Sequence, residues 1–132
     1  MTLLLKNPKK DLLLNAGFNV LHQESKEWLD TIAFWKYEIN FFTELLNKKV
    51  NKTSDFSQLL KTLDKIHLEL MDYLEKDIVA HEKYLADLER LKDGFSEIAY
   101  REQHKKLSES MALFTEDIKE FKLMVFGYVK NL

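Results

Sequence analysis

Cysteine is absent from the 132 residues, which excludes a disulfide framework and any thiolate chemistry with metals or redox partners. Three glycines and one proline are the only conformational punctuation. Three scattered glycines cannot build a phosphate-cradling loop, and neither a nucleophile elbow nor a His-Glu-x-x-His element occurs. Neither sign of charge dominates: 20 Lys plus Arg stand against 22 Asp plus Glu, for a net charge of −2. With acids and bases interspersed, no global field favours nucleic acid or an anionic membrane. Long hydrophobic runs are missing as well. Met1 to Leu5 holds three leucines, but Lys6, Pro8, Lys9 and Lys10 follow directly, so neither a signal peptide nor a membrane span is expected and the expected location is cytoplasmic.

What is present is a 45% apolar composition, enough for one domain over residues 1–132, arranged with helical spacing and without the two-residue alternation of strands. Asn7-Pro8 reads as an N-cap with proline at the first helical position. The stretch from Asn47 to Thr53 is the next break, with Thr53 or Ser54 as the following cap. Lys92-Asp93-Gly94 is the last, with glycine closing one helix and Ser96 capping the next. The helices are therefore expected at 8 or 19 to 48, 55 to 92 and 96 to 131. If the first starts at 19, residues 1–18 form a separate or irregular segment.

Seven-residue rows run through each span. They are Leu21, Trp28, Trp35 and Phe42 with Phe18, Ser25, Ile32, Ile39 and Leu46 in the first, and Leu60, His67, Leu74, His81 and Leu88 with Phe56, Leu63, Leu70, Asp77, Tyr84 and Leu91 in the second. The third carries His104, Leu107, Met111, Phe114, Ile118, Phe121, Val125, Tyr128 and Leu132. A sustained seven-residue repeat means long supercoiled helices. The expected fold is all-α: an elongated antiparallel three-helix bundle, up-down-up and coiled-coil-like. A four-helix bundle is the alternative, its fourth helix supplied by the N-terminal segment or a dimer partner.

In an antiparallel hairpin the loop midpoint fixes which residues share a height. That arithmetic brings His22, His81 and His104 to one level, one per helix, and His67 near Glu38 and between Asp117 and Glu120. Two readings compete. In the first, His22, His81 and His104 with Asp77 hold a divalent metal, zinc or iron, and Glu38, His67 and Asp117 or Glu120 form a second, carboxylate-rich site. In the second, buried histidines hydrogen-bond to one another, to Glu38 or to Tyr84 and fix the register of a seam that would otherwise slip.

The run His22-x5-Trp28-x5-Phe34-x3-Glu38, then His81-Glu82 with Leu85, then His104 with Phe114, Glu120 and Phe121, resembles a group of small bacterial helical-bundle proteins of unknown function. That resemblance implies a helical bundle without an assigned activity. Hemerythrin-like bundles, which hold paired iron ions with histidines and carboxylates, are a partial likeness. Met71 and Leu85 stand four residues after His67 and His81, where that family has Glu and His, and no Glu-x-x-His occurs in the seams. Its oxygen chemistry is therefore not carried over.

Outside the seams, Lys48, Lys49 and Lys52 read as solvated loop lysines. Trp28, Phe34, Trp35, Tyr37, Phe41 and Phe42 read as core packing, except that Phe34 and Phe41 widen the apolar arc beyond what two neighbours cover. That surplus points to a homodimer or a partner helix on the aromatic flank. The functional expectation is a non-enzymatic structural or interaction bundle, with a metal-binding bundle as the alternative.

Overall fold

The computed structural model describes residues 17–48 and 54–130. The chain is all-α, with four helices packed together and no strand among the described residues: α1 (Phe18–Lys48), α2 (Ser54–Leu68), α3 (Glu75–Glu89) and α4 (Glu97–Lys130). A π-helical segment, Glu69–Leu74, joins α2 to α3 without an intervening loop. The division of the span expected at 55–92 therefore makes the fourth helix. Asn7-Pro8, Leu3 to Leu5 and the Lys49 and Lys52 positions lie outside the described residues.

Side-chain pairs fix the directions. His22 meets Glu82 and Lys36 meets Glu75, so α1 and α3 run antiparallel. Phe56 packs on Tyr128 and His81 on His104, so α4 runs against α2 and α3. Glu24 to His104, Glu38 to Lys122 and Phe42 to Phe126 rise together, so α1 and α4 are parallel neighbours.

Leu21, Ser25, Trp28, Ile32, Trp35, Ile39, Phe42 and Leu46 are all buried, as the rows of α1 require. In α4 the buried row is Tyr100, His104, Leu107, Met111, Ile118, Phe121 and Val125. The middle span departs from a constant heptad. Phe56, Leu59, Leu63 and Ile66 are buried before the π segment, and Leu74, Ile78, His81 and Leu85 after it. Extending the first frame by sevens predicts residues 73, 77, 80 and 84; the observed positions are each one residue later. The wider turn of a π-helix absorbs that extra residue. Leu60 and His67 consequently leave the core, half-buried and exposed respectively, while Leu74 and His81 stay in it.

The turn from α3 to α4 also differs from expectation. Leu91, not Gly94, closes α3 in the left-handed conformation, at φ 57°. Lys92 N–H donates to Asp87 O at 3.2 Å and Leu91 N–H to Leu88 O at 3.0 Å, the paired bonds of a Schellman ending. Gly94, at φ +88°, serves the loop beyond. Ser96 caps α4 as expected, its Oγ accepting from Ala99 N–H at 3.2 Å, and its own N–H donates to the Tyr84 hydroxyl at 2.9 Å.

Candidate functional site

The π segment keeps His81 of α3 on the core side, and the α3–α4 turn brings it level with His104. The two rings are hydrogen-bonded, His81 Nε2 to His104 Nδ1 at 2.9 Å. On its other side His104 Nε2 lies 2.9 Å from Glu24 Oε1 of α1. Both imidazoles are nearly sealed, at 3% and 2% exposure. Aromatic faces hold them: Trp28 stacks on His104 at 4.5 Å, and Tyr100 lies flat on His81 at 4.3 Å with a 4° tilt.

The bonding order follows from the carboxylate, which only accepts. His104 Nε2–H donates to Glu24, so in the neutral ring Nδ1 carries the lone pair and accepts from His81 Nε2–H. His81 is then left with Nδ1 as a free acceptor. Burial keeps both rings neutral by pushing their pKa down to about 4, helped at His81 by the neighbouring His104 and at His104 by the Arg101 guanidinium. Burial likewise pushes the Tyr100 hydroxyl up, and Glu82, Glu89 and Glu24 add to it against Arg101. The Tyr100 hydroxyl, Ser25 Oγ and Glu82 Oε1 are buried without a protein partner.

Beside this chain lies a hollow of about 370 Å³ between α3 and α4, lined by Asp77, Ala80, His81, Tyr84, Ala99, Tyr100 and Gln103. A separate feature is the outer flank of α1 and α4. There Phe34, Tyr37 and Phe41 are 59, 74 and 56% exposed, and Leu123 and Phe126 are 63 and 55% exposed. Phe41 and Phe126 both pack edge-on against the buried Phe42, at 5.6 and 5.8 Å.

The sequence-predicted residues separate into those brought together and those kept apart. His81 and His104 meet. His22 arrives at the expected height but turns outward onto Glu82, and Asp77 is exposed at the hollow. Glu38 does not meet His67; it pairs with Lys122 at 2.7 Å, because the frame shift carries His67 to the surface. Asp117 and Glu120 are exposed on α4. Among the described residues, no group of three or more His, Asp or Glu side chains could hold a metal ion. Of the four residues considered for the first site, the structure brings only His81 and His104 into contact, ring nitrogen to ring nitrogen, with Glu24 as the acid beside them. Glu24 and Tyr100 were missed. Tyr100 continues the α4 row one turn before His104, a readable signal; Glu24 is a flank acid with none.

Fold and site define a small all-helical protein. No helix among the described residues is long and apolar enough to cross a membrane. No family model, curated protein or solved structure matches the chain, so the resemblances drawn from its seam residues lead to no family.

Proposed function

We propose that this protein is a non-enzymatic interaction bundle that pairs with a second copy of itself through the outer flank of α1 and α4. In this reading α2, the π segment and α3 act as one long column, so that the four helices work as an up-down-up, coiled-coil-like bundle of three. The observation that carries the pairing is the exposed aromatic strip of Phe34, Tyr37, Phe41, Leu123 and Phe126. An apolar patch of that kind on a charged surface marks an association site. The charges around it favour a second copy. Exposed Glu27, Asp30 and Glu44 lie on α1 together with Lys26 and Lys48, and exposed Lys119 and Lys130 on α4 together with Glu116 and Glu120, so each helix offers both signs to a copy of the other. A two-fold axis that lays α1 of one copy on α4 of the other matches acid to base twice.

Sedimentation velocity over a concentration series tests the proposal. A dimer is expected, lost in the Phe34→Glu, Phe41→Glu double variant while its circular dichroism stays helical. Lys119→Glu with Lys130→Glu should weaken the dimer, and adding Asp30→Lys with Glu44→Lys should restore it. A monomer up to millimolar concentration, or a dimer indifferent to both sets of changes, overturns the reading.

A further inference from the structure

The geometry points to a second kind of binding, independent of the flank: we propose that the hollow between α3 and α4 takes a small organic cation, a protonated amine on a flat apolar body, held by the Asp77 carboxylate and the free Nδ1 of His81. Asp77 and His81 are four residues apart on α3 and so project from one face. Ala80 and Ala99 make the room, and the half-buried Tyr84 ring, stacked parallel to the sealed Tyr100 at 6.5 Å and 11°, gives the hollow an aromatic side. The volume is in the range of small-molecule sites.

The sign of the ligand follows from the lining. It contains a carboxylate and an imidazole acceptor but neither lysine nor arginine. The Glu24–His104–His81 chain removes the alternative in which His81 offers N–H to an anion: Glu24 fixes the proton on His104 Nε2, and that in turn fixes the proton of His81 on Nε2. An acceptor held in place beside the Tyr84 ring suits an ammonium, which donates to the nitrogen while its charge meets the carboxylate. The same residues repel a carboxylate ligand. Burial is the main reason the Tyr100 hydroxyl is pushed up, and the carboxylates of Glu82, Glu89 and Glu24 that add to it act in the same direction on a ligand.

Three probes of nearly equal shape decide the matter: phenethylammonium, 2-phenylethanol and phenylacetate, titrated into the full chain at pH 7.5 and followed through the His81 and Tyr100 ring resonances. The amine is expected to bind about tenfold more tightly than the alcohol, and phenylacetate more weakly still. Asp77→Asn should reduce the amine to the level of the alcohol. Asp77 is exposed, so that variant retains the fold, and Ala99→Leu should abolish binding of all three by filling the hollow. Equal binding of amine and carboxylate, an amine affinity unchanged in Asp77→Asn, or shifts confined to Phe34, Phe41 and Phe126 would overturn the proposal.

Discussion

Replacing His81 by leucine should flatten the acid sensitivity of this protein while leaving its stability near neutrality almost unchanged. Both buried imidazoles have a folded-state pKa of about 4 against 6.5 for a free histidine. A base whose folded pKa is depressed binds fewer protons folded than unfolded between those values. Its contribution is therefore fully present above pH 6.5 and is lost as the pH falls toward 4. At full titration each ring is responsible for about 3 kcal/mol, of which about 2 kcal/mol is gone by pH 5. From pH 7.5 to 5 the parent chain should lose about 4 kcal/mol from the pair, and His81→Leu about half of that.

Near neutrality two effects oppose each other in the variant. His104 Nδ1 loses its donor, a cost of about 1–3 kcal/mol for a buried acceptor, and the leucine adds apolar contact worth about 1.5–3 kcal/mol if fully packed. The net change at pH 7.5 should lie within about 2 kcal/mol of zero, and whatever its sign the variant should gain about 2 kcal/mol on the parent between pH 7.5 and 5. Urea unfolding followed by Trp28 and Trp35 fluorescence, at half-unit steps from pH 7.5 to 5, measures this. Holding the range above pH 5 limits interference from the carboxylates. Parallel curves for the two proteins would refute the claim that a neutral, dry imidazole pair sits at this level.

Three further outcomes follow from local geometry. Leu91→Gly should raise stability by about 1 kcal/mol, since Leu91 is 89% exposed and its left-handed φ is the only native constraint lost; an unchanged or lower urea midpoint counts against the Schellman ending. Lys122→Met should destabilise by about 3 kcal/mol by stranding Glu38, whose Oε1 is already buried without a partner. Adding Glu38→Leu should recover most of that loss in the same unfolding assay. Deleting Asp72 should convert the π segment to regular helix and keep both buried faces, at a cost within about 1 kcal/mol, whereas inserting one alanine there should cost more than about 4 kcal/mol by turning α3 away from the core; equal melting of the two variants by circular dichroism would remove the frame-shift account.

How much of this was legible depends on where the heptad stays regular. Along α1 every residue of the two predicted rows from Leu21 to Leu46 is buried, because nothing interrupts the period. Along α4 the row held from His104 to Val125, with Phe114 and Tyr128 only partly covered. In the middle span each predicted row was right on one side of the π segment and wrong on the other. No proline or glycine marks Glu69–Leu74, so an extra residue absorbed by a wider turn leaves no sign in residue types, and the misplacement of His67 follows from it. Height was more robust than facing. The loop near residue 93 predicted the His81–His104 meeting, but a helix flank can turn either way, and His22 and Glu38 found Glu82 and Lys122 instead.

The histidine layer also separates two apolar clusters, and this bears on why polar groups are tolerated there. On one side are Leu21, Leu85 and Tyr100, and on the other the larger group from Trp28 to Val125. Rows of Leu, Ile and Phe nearly repeat every seven residues, so sliding α4 by a heptad against α3 would still bury apolar surface. Such a slide would part His81 from His104 and His104 from Glu24, leaving several buried donors and acceptors unmade at about 1–3 kcal/mol each. The layer thus penalises the slipped alignment more than it stabilises the native one, the role best attested for a polar seam residue. If so, replacing His81 and His104 by Leu and Glu24 by Gln should leave the urea midpoint at pH 7.5 near that of the parent while broadening the transition and dispersing fewer side-chain resonances. A triple variant that unfolds as sharply as the parent, with equally dispersed spectra, would mean that the apolar rows and the short α3–α4 turn set the register alone.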